Sequence, residues 1–209
     1  MRKILEVYPF KRLHENPITI AEGFSCYTGK LGDKKGDPHK GIDYVREIES
    51  GVFIPFGVHT THDGWAVWGE EESFGNFVMI CSMIEADSFY LTVYAHLQVI
   101  AQENGLFFMP KYKPKKRKVF WPEEPLDDGI PLIAGTYLGD AGTTGWTNNL
   151  VQLHFELHEF KRVGRKWERK KIDPYGVYDD IDSGKYPQPG QSLSFCPNHF
   201  WASDTPSFA

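Results

Sequence analysis

Val151-Gln152-Leu153-His154-Phe155-Glu156-Leu157-His158 is the stretch that decides the fold class. Its apolar members, Val151, Leu153, Phe155 and Leu157, alternate with polar ones, which is the period of a strand with one apolar face. A second run has the same grammar: Leu91, Val93, Ala95 and Leu97 alternate with Thr92, Tyr94 and His96. Both read as half-buried strands of an antiparallel sheet, each placing a histidine on its polar side. Residues 64–68 and 76–84 are further predicted strands, and the only short helix candidate is 97–104. Composition agrees, with 20 Gly, 14 Pro, 15 Phe, 10 Tyr and 6 Trp in 209 residues favouring turns and strands over helices. The expected fold is mainly β and antiparallel.

Outward from these strands, residues 20–178 form the expected domain, preceded by an extension at 1–19 and followed by a Pro- and Ser-rich tail at 179–209 that wraps or frays. Residues 101–129 break the strand pattern. A basic run, Lys111, Lys113, Lys115, Lys116, Arg117 and Lys118, gives way there to Glu123, Glu124, Asp127 and Asp128. That reads as an inserted surface loop forming one wall of a binding groove. A second basic cluster at 161–171, around Gly164, reads as a charged hairpin. The net charge of −5 disfavours a globally basic nucleic-acid binder, and the two clusters are most simply solvated loops. No apolar stretch approaches the roughly 18 residues of a membrane helix. Glu6, Lys11 and Arg12 interrupt any apolar signal region, so no export signal is visible. Three cysteines are too few for a disulfide framework: Cys81, in an apolar run, reads as a buried thiol, and a Cys26–Cys196 bridge stays open.

Three pieces could carry chemistry. In Pro38-His39-Lys40-Gly41-Ile42-Asp43, a straight strand would set His39 and Asp43 about 13 Å apart, too far to share an ion with bonds of about 2 Å. The chain must therefore bend between them, and Gly41 permits a bend. Gln152 and His154, two apart on a strand, project from one face about 6.6 Å apart. Tyr94 and His96 are paired likewise. Taken singly, each piece also fits solvated polar residues. The remaining histidines, His59, His62, His158 and His199, read as surface or structural.

In order, however, the pieces resemble the lysostaphin-type (LytM-like) zinc endopeptidases of bacterial cell walls. Gly23-Phe24, a Gly-rich run and His39-Lys40-Gly41-Ile42-Asp43 look like the first metal motif of that family. Phe74-Gly75-Asn76, Tyr94-Ala95-His96-Leu97, the glycine loop at 138–145 and Leu153-His154-Phe155-Glu156 look like its later landmarks, over roughly residues 20–178. The resemblance implies two antiparallel sheets with a groove across one of them. It implies Zn2+ held by His39, Asp43 and His154, with a fourth position open, and His96 as a catalytic histidine that is not a ligand. Tyr94 is a candidate substrate contact. The expected function is hydrolysis of peptidoglycan peptide cross-links in the cell envelope or outside it, with anionic wall polymers as natural partners for the basic loops. One position departs from the family. Gln152 stands where a second catalytic histidine is usual, and an amide cannot exchange a proton near neutral pH. That departure keeps a second reading open: a peptidase-like module that binds wall peptide, or a partner protein, without cutting it.

Overall fold

The computed structural model describes residues 3–24, 39–101, 109–113, 120–176, 186–196 and 198–209. The strands among them run in chain order β1 (Val7–Tyr8), β2 (Ile18–Glu22), β3 (Ile42–Glu49), β4 (Val52–Phe53), β5 (Gly57–His59), β6 (Gly64–Glu71), β7 (Gly75–Glu85), β8 (Ser88–Ala95), β9 (Leu97–Ile100), β10 (Ile130–Leu132), β11 (Tyr137–Ala141), β12 (Leu153–Val163), β13 (Lys166–Ile172) and β14 (Ser207–Phe208). The deciding stretch becomes β12, at the centre of a nine-stranded sheet in the order β10-β6-β7-β8-β12-β3-β2. Along one edge β12 pairs with β8; along the other it pairs with β3 at its start and β13 at its end. These pairings are antiparallel, as is a separate small sheet, β5-β11-β9. The charged hairpin at 161–171 is β12–β13, turning at Gly164 and Arg165.

The two central strands are buried on both faces rather than half-buried. Leu153, Phe155 and Leu157 of β12, with Tyr94 of β8, face a core shared with Val58, Leu138 and Ala141 of the small sheet. The opposite face carries Phe89, Leu91, Val93, Ala95 and Phe160, covered by Leu126 with Phe120 and Trp121 packed alongside. Phe89 and Phe160 stack there, centroids 4.4 Å apart. The covering residues belong to the expected loop at 101–129, whose described part packs on the sheet. Tyr112 donates its backbone N–H to Trp68 and Trp68 donates to Pro110, extending the β6 edge, while Met109 is fully buried. Among its described residues the charged ones, Lys111, Lys113, Glu123, Glu124, Asp127 and Asp128, are exposed, while the aromatic Phe120 and Trp121 pack on the sheet. The short helix candidate is overturned over its first half: Leu97–Ile100 is β9, paired with β11, and 102–104 lie outside the described residues.

Both chain ends join the core. β1 pairs in parallel with β14, and Leu5, Tyr8, Phe10, Leu193, Phe200 and Trp201 are buried together. The described residues near both ends thus pack into one core. Cys81 is buried, and its thiol is pushed up to about 12 by that burial; Cys196 is buried too, and Cys26 lies outside the described residues.

Candidate metal centre and active site

Register assembles the site. His154 lies directly opposite Asp43 across the β12–β3 pair, and opposed residues on antiparallel strands share a face with Cβ atoms about 5 Å apart. The His154 Nδ1 to Asp43 Oδ1 distance is 2.7 Å. His39, three residues before β3, brings its Nε2 to 3.1 Å from His154 Nδ1 and 3.2 Å from Asp43 Oδ1. The chain bends at Gly41, as expected, and the missing side chain also leaves room for this approach. A Cβ there would lie 2.6 Å from the Phe155 carbonyl oxygen and 2.8 Å from His154 Cε1.

The three atoms form a triangle with edges of 2.7 to 3.2 Å. Ligands on tetrahedral zinc, with bonds of about 2.0–2.2 Å, stand roughly 3.3 Å apart, so the triangle is close to one face of such a site. The hydrogen bonds behind the rings make the same point. His39 Nδ1 is 3.0 Å from the Gly23 carbonyl, an acceptor, so this nitrogen carries the proton and Nε2 presents its lone pair. His154 Nε2 is 3.1 Å from Glu156 Oε1, so it too is the N–H and Nδ1 presents a lone pair. Two lone pairs and a carboxylate oxygen converging this closely repel one another unless a cation lies among them. A carboxylate or carbonyl behind each ligating histidine is the usual support of a zinc site.

In the protein without metal, a proton takes the cation's part. Burial alone would lower the His154 pKa, but the Asp43 charge and the bonds to Asp43 and Glu156 outweigh it and raise the value to about 10. Burial would raise Asp43, but the two histidines outweigh it and hold it far below the usual carboxylate range. Glu22, opposite Asp43 on β2, is raised by burial and by the Asp43 charge.

His96 follows β8 in a left-handed conformation, φ 64°, which breaks the strand alternation. Its N–H donates to the Phe74 carbonyl at 2.9 Å and its Nδ1–H to the Thr144 carbonyl at 2.7 Å. The bond from Nδ1 fixes the neutral tautomer with a bare Nε2. Burial first, then the charge on His154, lower its pKa to about 4. The two carbonyls come from loops held in contact by paired glycines: Gly75 (φ 60°) and Gly145 (φ 77°) meet backbone to backbone, where a Cβ on either would lie within 2.5 Å of the other's nitrogen.

These residues line a cavity of about 440 Å³ together with Gln152, Phe74, Thr147, Asn148 and Trp146. Gln152 is buried and bonded through its N–H to Gly142, one strand step from His154. The structure thus brings together His39, Asp43, His154, His96 and Gln152. It does not bring Tyr94. That side chain lies on the opposite face, fully buried against Phe155, its hydroxyl 2.8 Å from both the nitrogen and the hydroxyl of Thr61. Nor does the described part of the 101–129 segment line the cavity; its Phe120 and Trp121 pack behind Phe74 instead.

The sequence reading missed Glu156 and His158. Glu156 Oε2 lies 2.6 Å from His158 Nε2, and both side chains are buried. The alternation of β12 put them on the face of His154, but nothing in it said that face is covered. Trp146, 70% exposed at the cavity rim, was missed as well.

No family model matches the chain, and no curated protein matches it. Similar solved structures include a zinc-containing peptidase from Vibrio cholerae, 21% identical with a TM-score of 0.46, over 75% of this chain and 37% of that one. Another is a point variant of the catalytic domain of the prophage-encoded M23 protein EnpA from Enterococcus faecalis, 18% identical with a TM-score of 0.44, over 79% and 95%. A third is lysostaphin in solution, 18% identical with a TM-score of 0.45, over 78% and 51%. The chain therefore spans about a third and about half the length of the first and third of these proteins.

Proposed function

We propose that this protein is a zinc-dependent endopeptidase that hydrolyses peptide cross-links of bacterial peptidoglycan. The observation that carries the metal reading is the convergence of two imidazole lone pairs and the Asp43 carboxylate on one point, each histidine fixed in its tautomer from behind. The substrate class rests on the order of the sequence motifs and their resemblance to the cell-wall family. His39, Asp43 and His154 would hold the ion, which when bound supplies Lewis-acid activation of water and of the scissile carbonyl.

The chain's own residues account for the rest. His96, neutral with a bare Nε2, accepts a proton during attack and returns it to the departing amine. Gln152 can donate amide hydrogens to oxygen as it gains charge, but it cannot take a proton. The rim of Trp146 and Asn148 offers contact surface to an extended peptide.

Gln152 favours a second reading, a module that holds wall peptide without cutting it. Metal content after purification without chelator, measured beside cross-link cleavage on purified peptidoglycan, separates the two. The endopeptidase reading expects one zinc per chain and cleavage that a chelator abolishes. A full zinc complement with no cleavage supports the binding module, and a protein that takes up no zinc in excess ends the metal reading.

A further inference from the structure

The sixth and eighth residues of the deciding stretch, Glu156 and His158, form a buried pair that the proposed reaction does not use directly. Glu156 divides its carboxylate between two rings, Oε1 at 3.1 Å from His154 Nε2 and Oε2 at 2.6 Å from His158 Nε2. His158 is wholly buried, and its other nitrogen, Nδ1, has no hydrogen-bond partner among the described residues. Burying an imidazole with one nitrogen unsatisfied costs stability that an aliphatic side chain of similar size would not. The bond to Glu156 is the compensating feature in the structure. Trp121 closes the group from the covering segment, its ring 4.4 Å from the His158 ring, and the Arg169 guanidinium lies 4.2 Å over the Trp121 ring.

We propose that Glu156 and His158 are positioning residues: His158 orients the Glu156 carboxylate, which in turn holds His154 with Nε2 protonated and the Nδ1 lone pair directed at the metal position. Trp121 keeps His158 in place and so ties the covering segment to the proposed metal ligand His154. The pair acts on the ligand and not on substrate. A carboxylate placed behind a ligating histidine fixes its orientation and raises its basicity, and loss of such a partner usually weakens metal binding by about 10- to 100-fold. The inference rests on the proposed zinc site and reaches beyond it, to what sets that site's affinity.

The test measures zinc affinity of the full chain by competition with a chromophoric chelator, and the visible absorption of the Co2+-loaded protein. Melting of the metal-free protein serves as the structural control. His158→Leu should lower zinc affinity at least about tenfold and shift the Co2+ bands, and Glu156→Gln should do the same. His158→Gln, whose amide nitrogen can occupy the place of Nε2 as a donor, should stay within about threefold of the wild type. Metal-free His158→Leu should melt no lower than metal-free His158→Gln.

Zinc affinity within threefold of wild type in both His158→Leu and Glu156→Gln overturns the proposal and leaves the zinc site standing. Equal losses in His158→Leu and His158→Gln overturn it in favour of simple packing. A wild-type chain that binds neither zinc nor Co2+ ends the zinc site and this inference together, a result distinct from the other two.

Discussion

Gln152 concentrates the question of how much catalysis this site supports. It is buried, two positions before His154 on the same strand face, and shares the cavity with His96. A histidine there would add a proton-transfer group where the amide offers only hydrogen bonds. Gln152→His should raise turnover on wall peptide by about 10- to 100-fold, a cautious part of the usual general-base effect. That gain corresponds to about 1.4–2.7 kcal/mol of barrier. His96→Ala in the same background should remove the gain, and an unchanged rate in the single variant would show that the position is already served. Gly41 gives an independent handle on the ligands. Because a Cβ there would press on His154 and on the Phe155 carbonyl, Gly41→Ala should cost about 1–3 kcal/mol in urea unfolding and weaken zinc binding. Unfolding at the wild-type midpoint, with unchanged zinc affinity, would show that the two strands can part at no cost.

Strands were readable wherever one period ran without interruption. Residues 64–68, 76–84, 89–97 and 151–158 all fall mostly on β6, β7, β8 and β12, because alternation is set by the backbone alone. What lay across the sheet was not readable. Tyr94 looked like part of a polar face with His96, yet the register sets it opposite Phe155, in the core, and His96 leaves the alternation through its left-handed backbone. Alternation tells which residues share a face and not what covers it. The segment carrying Phe120, Trp121 and Leu126 covers that face without any period of its own. Leu126→Ala should therefore destabilise the protein by about 2–5 kcal/mol, as truncation of a buried leucine does. A loop wall facing solvent would lose less than about 0.5 kcal/mol. A denaturant midpoint equal to wild type would return the segment to the role of a groove wall.

The ends of the chain and the metal position are linked through β3. This strand carries Asp43 toward the cavity and Tyr44 toward the core, where the Tyr44 hydroxyl meets Tyr175 at 2.9 Å and Tyr175 packs against Trp201. Tyr8 packs against Trp201 as well. The order of the site motifs could be read from the sequence, but this closure could not: pairing of β1 with β14 joins residues about two hundred positions apart, with no local signal in either. An ion held by His39, Asp43 and His154 would join the segment before β3 to the centre of the large sheet, so its binding should raise global stability. At a free zinc concentration 100 times the dissociation constant, linkage gives about 2.7 kcal/mol. For a chain of this length that is a rise in melting temperature of about 5–11 °C. His154→Ala should abolish the rise, and a chelator should reverse it in the wild type. The pH dependence has a definite sign. His154 is raised to about 10 by its surroundings in the metal-free fold, so its pairing with Asp43 stabilises that fold fully below about pH 6.5, and the contribution fades as pH climbs toward 10. Zinc must displace that proton, so the zinc-dependent rise should be largest at mildly alkaline pH and shrink toward pH 5. Melting curves with and without zinc across that range read both effects, and a rise that is absent at every pH, or that grows as pH falls, would count against His154 as a ligand.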